Sequence, residues 1–469
     1  MSAQVLSQSE FDVPNGVRTL DYLLNRVARV LQIGAVLNAA LAGLILLASL
    51  VASAQLIPGL FGTLHSLLVR SIGGADDAAV AAAALLCLLN MSLLLVVNVG
   101  ALAREVWTIP GLIGLAAANV AALLMLGFTP ALITGIMCVI ALVIALRSGI
   151  GEGGLLRAFR INPVMLKELR GRMRGVRAFV VLTVYLGLMG GFAMLLYLVY
   201  STAGRDPGSA AAGEIGRVLF NGVFAVELLL IIFIAPAFTA GAITGERERQ
   251  TYDLLRTTLL SSASFVIGKL ESALGYVLLL LLAGIPLQAF AFLFGGISEE
   301  ELVLSLLILL VTAIALGTVG IYFSAGLSRT LTASVRAYSV TLVMMFIAPA
   351  LLAVVLNIIH DIFYGSAALS VNQSPVFESA LVYVGHVLTS INPLATAIST
   401  QNLLVTQQVA GFYPYTLTSN GSTIPLASPW INFTILYLSL AAVLMALTIR
   451  VTRRLDEMET ERLVPSSEE

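Results

Sequence analysis

The stretch VLFNGVFAVELLLIIFIAPAFTAGAITGERERQTYDLLRTTLLSS, residues 218–262, decides the fold class. Residues 218 to 242 form an apolar run broken by one ionisable side chain, Glu227. A helix rises about 1.5 Å per residue and a bilayer's hydrocarbon core is about 30 Å thick, so a run of this length crosses it. Pro236 is placed to kink that helix, and Gly241 and Gly245 to loosen its end. A charged stretch follows, in which Glu246, Arg247, Glu248, Arg249, Asp253 and Arg256 alternate in sign beside Leu254, Leu255 and Leu259. Arg249 and Asp253 stand four apart, a helical pair worth a few tenths of a kcal/mol. The segment reads as a short polar helix that fits a groove of a soluble partner, or as a solvated loop returning the chain to the bilayer.

The rest of the chain repeats the theme. With 59% hydrophobic and 11% charged residues over 469 positions, a soluble protein is excluded. Apolar runs occupy residues 31–55, 78–103, 109–127, 129–147, 178–200, 218–242, 266–294, 302–326, 338–359 and 430–449, so the expected fold is an all-α polytopic membrane protein of about ten transmembrane helices. The third and fourth runs, split by Gly127, Thr129 and Pro130, read either as two short helices or as one span plus a re-entrant piece. No cleaved signal peptide is expected in the polar first thirty residues.

Orientation follows from where cations are retained. Placing both termini inside puts all 25 basic residues on the cytoplasmic side except Arg70, Arg205 and Arg217. Trp107 and Trp430 fall at span ends, where an indole sits among headgroups. The net charge of −1 supplies no excess for nucleic acid.

Within the first four spans, Asn38, Asn90, Asn98 and Asn119 are expected to join helices by hydrogen bonds. Near residue 150, Gly149, Gly151, Gly153 and Gly154 mark a boundary. Beyond it, Asn162 caps a helix with Pro163 at its first position, in the segment NPVMLKELRGRMRG. Its wheel gathers Met165, Leu166, Leu169 and Met173 on one side and Lys167, Glu168, Arg170 and Arg174 on the other; Arg172 adds to its charge. Such a helix lies in the membrane interface, anchoring to anionic lipid, contacting a cytoplasmic partner, or both.

Glu227 reads as a substrate contact or conformational latch, or as a carboxyl tied to a neighbouring helix. Ser298 and Glu301 fit a capping box opening the eighth span. Cys87 and Cys138 lie in apolar runs as small hydrophobes. His65, His360 and His386 are scattered, so no zinc site is expected. ASFVIGKLE, around Lys269, lacks the first glycine and the hydroxyl of a phosphate-binding loop. No catalytic residues, metal or cofactor are therefore expected on this chain.

Three stretches, NPVMLKELRGRMRGVRAFVVLTVYLG, APAFTAGAITGERERQTYDLLRTTLLS and GKLESALGYVLLLLLAGIPL, resemble the permease subunit of type 2 ABC exporters. The resemblance spans roughly residues 155–450 and implies a division of the chain. A cytoplasmic segment (1–30) and about four extra helices (31–150) precede an interfacial connecting helix (155–176). A six-span permease domain (177–450) contains a coupling helix (246–260) and an external re-entrant region (361–429). A cytoplasmic tail (451–469) ends the chain. It further implies that Glu246, Arg247, Glu248, Arg249, Asp253, Leu254 and Arg256 meet an ABC ATP-binding subunit. Arg329 to Arg336 would form a second contact, and Lys167, Arg170, Arg172 and Arg174 would lie on the connecting helix. ATP and magnesium would belong to that partner, a second permease chain would complete the path, and the site would be a prokaryotic plasma membrane. The cargo would be apolar or amphiphilic. An ion-coupled secondary transporter and a non-transporting membrane scaffold are the alternative readings.

Overall fold

The computed structural model of the chain describes residues 15–53, 77–126, 128, 130–150, 161–202, 209–252, 261–364, 375–417, 421 and 423–463. The first helices are α1 (Asn15–Ser53), α2 (Asp77–Ala103), α3 (Thr108–Leu126) and α4 (Ala131–Ile150). A short helix, α5 (Pro163–Met173), leads into α6 (Val176–Thr202) and α7 (Ser209–Ala240). One further turn, α8 (Thr244–Glu248), precedes α9 (Ser262–Leu293) and α10 (Glu299–Gly326). Then come α11 (Thr330–Leu342), a π-helical turn (Val343–Ile347) and α12 (Ala348–Tyr364). The remainder is α13 (Pro375–Thr389), α14 (Pro393–Gln407), the strands β1 (Phe412–Thr416) and β2 (Thr423–Ala427), and α15 (Pro429–Leu463).

Eight helices among the described residues are long and apolar enough to cross a membrane, which makes this a polytopic helical membrane protein. Of the ten expected runs, the third and fourth follow the first of the two readings given for them. Two separate helices form there, α3 and α4, but their apolar parts, Thr108–Leu124 and Ala131–Arg147, are 17 residues at most. At 1.5 Å per residue that is about 25 Å, the lower end of what crosses a hydrocarbon core.

The core is built around α10, whose Ala313, Ala315, Gly317 and Gly320 let neighbours come close. At Gly320 even a methyl group would meet the Thr239 side chain of α7, so glycine is required there. Leu309, Val311 and Leu316 pack with Phe224, Leu228 and Ile231 of α7 and with Phe433 and Tyr437 of α15. On the periphery, α6 leaves Phe179, Val184 and Leu188 uncovered, as a lipid-facing helix does.

The first four helices are not a separate body. Leu31 of α1, Leu94 and Val97 of α2, Leu112 of α3 and Cys138 of α4 share one buried cluster. The neighbouring Leu93 and Val96 of α2 pack against the α7–α10–α15 core as well. Three of the four asparagines join helices as expected: Asn90 and Asn119 exchange amide hydrogen bonds at 2.9 and 3.0 Å, and Asn38 Nδ2 donates to Thr134 Oγ1 at 2.9 Å. Asn98 is the exception, for its Oδ1 is buried without a partner.

Two features lie outside the expected all-α scheme. An antiparallel hairpin pairs Phe412 with Ala427 and Tyr415 with Ile424. The ladder ends at Thr416 and Thr423, so six residues connect the strands, a longer loop than the two-residue turn that Asn420-Gly421 would suggest. The other is the π turn ahead of Pro349. Proline has no N–H to give Met345, and the freed Met345 carbonyl accepts instead from Asn392 Nδ2 at 3.4 Å. Asn392 also caps α14 through Oδ1, and α13 and α14 meet there at 116°.

Substituting Asn90→Ala and Asn119→Ala tests the reciprocal amide bond. Each is expected to cost about 0.6 to 2 kcal/mol, and the double variant little more than either single one. Chemical unfolding of the four proteins in micelles is the measurement; strictly additive losses would show the amides to be uncoupled.

Candidate functional site

Lys269, in the second turn of α9, is 3% exposed and sits between two carboxylates from different helices. Its ammonium donates to Glu246 Oε1 of α8 at 2.8 Å and pairs with Glu168 Oε1 of α5. The second oxygen of Glu168 accepts from Ser272 Oγ at 3.0 Å and faces Arg172 at 3.7 Å. Arg172 reaches onward to the Phe238 carbonyl at 3.4 Å, with its guanidinium over the Phe238 ring. That carbonyl lies in the last turn of α7, where helix carbonyls lack partners of their own. Burial draws the Arg172 guanidinium below its usual value, against the opposing effect of Glu168.

The wheel reading of α5 is thereby corrected. Lys167, Arg170 and Arg174 are exposed as expected, but Glu168 turns inward to Lys269, and Met173, assigned to the apolar side, is exposed. Helical spacing sorts residues into faces; it does not reveal a buried cation waiting on one of them.

The turn after α7 is braced along its length. Ser324 Oγ accepts from the backbone N–H groups of Ile243 and Thr244 at 2.9 and 3.1 Å. Arg247 donates to the carbonyls of Ala325 and Leu327 at 2.9 and 3.0 Å, closing the C-terminal end of α10, and stacks on Tyr252. Glu248 accepts from Thr330 N at 2.7 Å and Thr330 Oγ1 at 2.8 Å, placing an anion at the N-terminus of α11. Glu246 also receives the Thr251 hydroxyl. Three consecutive side chains therefore reach three different helices.

A continuous helix over 246–260 does not form. The helical turn stops at Arg249, and Gln250 takes a left-handed conformation at φ 57°. The turn is closed by a left-handed cap, in which Gln250 N donates to the Arg247 carbonyl at 3.1 Å and Thr251 N to the Glu246 carbonyl at 3.0 Å. Arg249, Arg329 and Arg336 are exposed. Asp253, Leu254 and Arg256 lie outside the described residues.

A second polar node joins the first four helices to the rest. Asn162 caps α5 by accepting from Val164 N at 3.0 Å, and its Nδ2 donates to Glu105 Oε1 at 2.8 Å and the Ser264 carbonyl at 2.6 Å. Gly268 of α9 makes room for it, since a Cβ there would sit 2.6 Å from the Asn162 amide. Glu105, between α2 and α3, is 3% exposed. Burial foremost, then the negative charge of Glu271, pushes its carboxyl up to about 7 from an ordinary 4.5, against the Asn162 hydrogen bond. Trp107, expected among headgroups, donates its indole N–H to Glu271 Oε1 at 2.9 Å.

Glu227 is fully buried halfway along α7. It accepts from Tyr185 Oη of α6 at 3.0 Å and from the Gln288 amide of α9, and a Cβ at Gly284 would press on its carboxylate. The carboxyl thus ties three helices together.

Compared with models of known protein families the chain has no match, and compared with curated protein sequences it has none either.

Replacing Lys269 by Met strands two carboxylates and is expected to destabilise the folded protein by about 3 to 5 kcal/mol. Lys269→Met combined with Glu168→Gln and Glu246→Gln should recover most of that loss in the same unfolding assay. For Glu105 the folded carboxyl binds its proton more tightly than the unfolded one. Its contribution is complete below pH 4.5 and declines as pH rises towards about 7. Melting temperatures recorded across that window should fall with pH in the native protein and less steeply in Glu105→Gln; identical slopes would refute the assignment.

Proposed function

We propose that this chain is the membrane-spanning permease subunit of an exporter of the type 2 ABC kind, driven by ATP hydrolysed on a separate cytoplasmic subunit. The observation that carries the reading is the braced turn at 243–248. Glu246 holds α9, Arg247 holds the end of α10 and Glu248 holds the start of α11, while Lys269 brings in α5 through Glu168. A partner pressing on such a turn moves four helices at once, as the coupling of ATP hydrolysis to a transport path requires.

In this reading the exposed cations Lys167, Arg170, Arg174, Arg249 and Arg329 lie at the cytoplasmic end and meet the ATP-binding subunit, which carries ATP and magnesium. Arg172 acts differently: it locks α5 to the end of α7. A second permease chain completes the pathway, both termini are cytoplasmic, and the membrane is the plasma membrane of a prokaryote. The cargo is apolar or amphiphilic.

Co-expression with an ATP-binding subunit encoded nearby tests the assignment. The two proteins should co-purify, and reconstituted vesicles should show flux that requires ATP. The double reversal Arg249→Glu and Arg329→Glu should weaken association at least tenfold while the melting temperature is kept. Failure of every such subunit to associate, or flux indifferent to ATP, would sink the assignment.

A further inference from the structure

A cavity of about 470 Å³ opens at the end of the bundle opposite Lys269, between the second half of α6, the first half of α7, the start of α10 and α14. Its volume is in the range of small-molecule sites. Most of the wall is apolar, from residues such as Phe192, Leu196, Phe224 and Ile308. Tyr200 of α6 and Asn221 of α7 add polar atoms to that wall, and Glu301, Ser305, Thr400 and Gln401 form a polar group where α10 and α14 meet.

There Glu301 is 4% exposed and lines the cavity. One of its oxygens accepts from Gln401 Nε2 at 3.0 Å, and the other makes only long contacts of 3.4 and 3.5 Å with Ser298 in the capping box. Among the described residues no basic side chain pairs with it. Thr400, on the wall of the same cavity and next in sequence to Gln401, is 2% exposed, and its hydroxyl is buried with no hydrogen-bond partner. A carboxylate without a cation and a hydroxyl without a partner, on the wall of one apolar cavity, are incomplete by themselves. A charged donor satisfies both.

We infer that this cavity binds an amphiphile carrying an amine head, with the ammonium on Glu301 and Thr400 and the hydrocarbon chain among Leu196, Phe224 and Ile308. An anionic or uncharged head fits less well: the first is repelled by Glu301, and the second leaves the carboxylate uncompensated. The inference goes beyond the permease reading and does not depend on it, since it concerns binding within one chain and involves no ATPase.

Native mass spectrometry of the full-length protein, titrated with dodecylamine, dodecanol or dodecanoate, tests it. One dodecylamine should bind per chain, and each of the other two at least tenfold more weakly. Glu301→Gln keeps the capping pattern, because Gln serves at that position as Glu does. It should lose the preference for the amine. Ala397→Phe, which fills the cavity, should lose all three probes, and an unchanged melting temperature in both variants confirms that folding is intact. Release of a co-purified aminophospholipid on adding dodecylamine assigns the site to bilayer lipid; uptake with no lipid leaving assigns it to a free amphiphilic amine. Equal binding of the three probes, or native binding in both variants, would overturn the inference.

Discussion

One buried ammonium group holds the polar end of this protein together. Lys269 is surrounded by protein, and a charge so placed is tolerated only when its attraction to opposite charges exceeds the cost of leaving water. Glu168 and Glu246 supply that attraction from two helices distant in the chain. Each then has further donors of its own, Ser272 and Arg172 on one side and Thr251 on the other. The position of α5 against α9, and of the turn after α7 against both, follows from satisfying this single cation.

The opposite end is organised by a different balance. Ser298 and Glu301 form the capping box that begins α10, and Gln401 of α14 reaches the same carboxylate. The carboxylate here is held by neutral donors alone. The two clusters thus differ in kind: the Lys269 cluster pairs a buried cation with two carboxylates, while Glu301 keeps a carboxylate without a cation on the wall of a hollow. Glu227, between them, is a third case, a carboxyl held by a phenol and an amide from flanking helices.

Much of this was legible in the chain, for reasons of range. Long apolar runs announce helices because they need no partner to be recognised, and the caps at Asn162 and Ser298 act within three residues. What could not be read was the direction in which charges turn. Glu168 looked outward on a wheel, and the alternating charges after Gly245 looked like one helix. Both are reassigned by contacts more than twenty residues away: Lys269 for Glu168 and Glu246, and the ends of α10 and α11 for Arg247 and Glu248. Glu105 gave no local sign of importance either, since its partner Asn162 lies 57 positions further on. A lysine in an apolar run, a glutamine at 288 and a glycine at 268 were the available signals.

The placement of α2 bears on how the molecule is made. One side of this helix meets α1 and α3, available soon after synthesis, but Leu93 and Val96 lie against a core completed by Phe433 and Tyr437 of α15. That face of α2 stays uncovered until α15 is in place, and contacts this distant in sequence form slowly. α15 thus acts as a clasp on helices that precede it by more than three hundred residues, and a chain cut short ahead of it leaves that face of α2 bare.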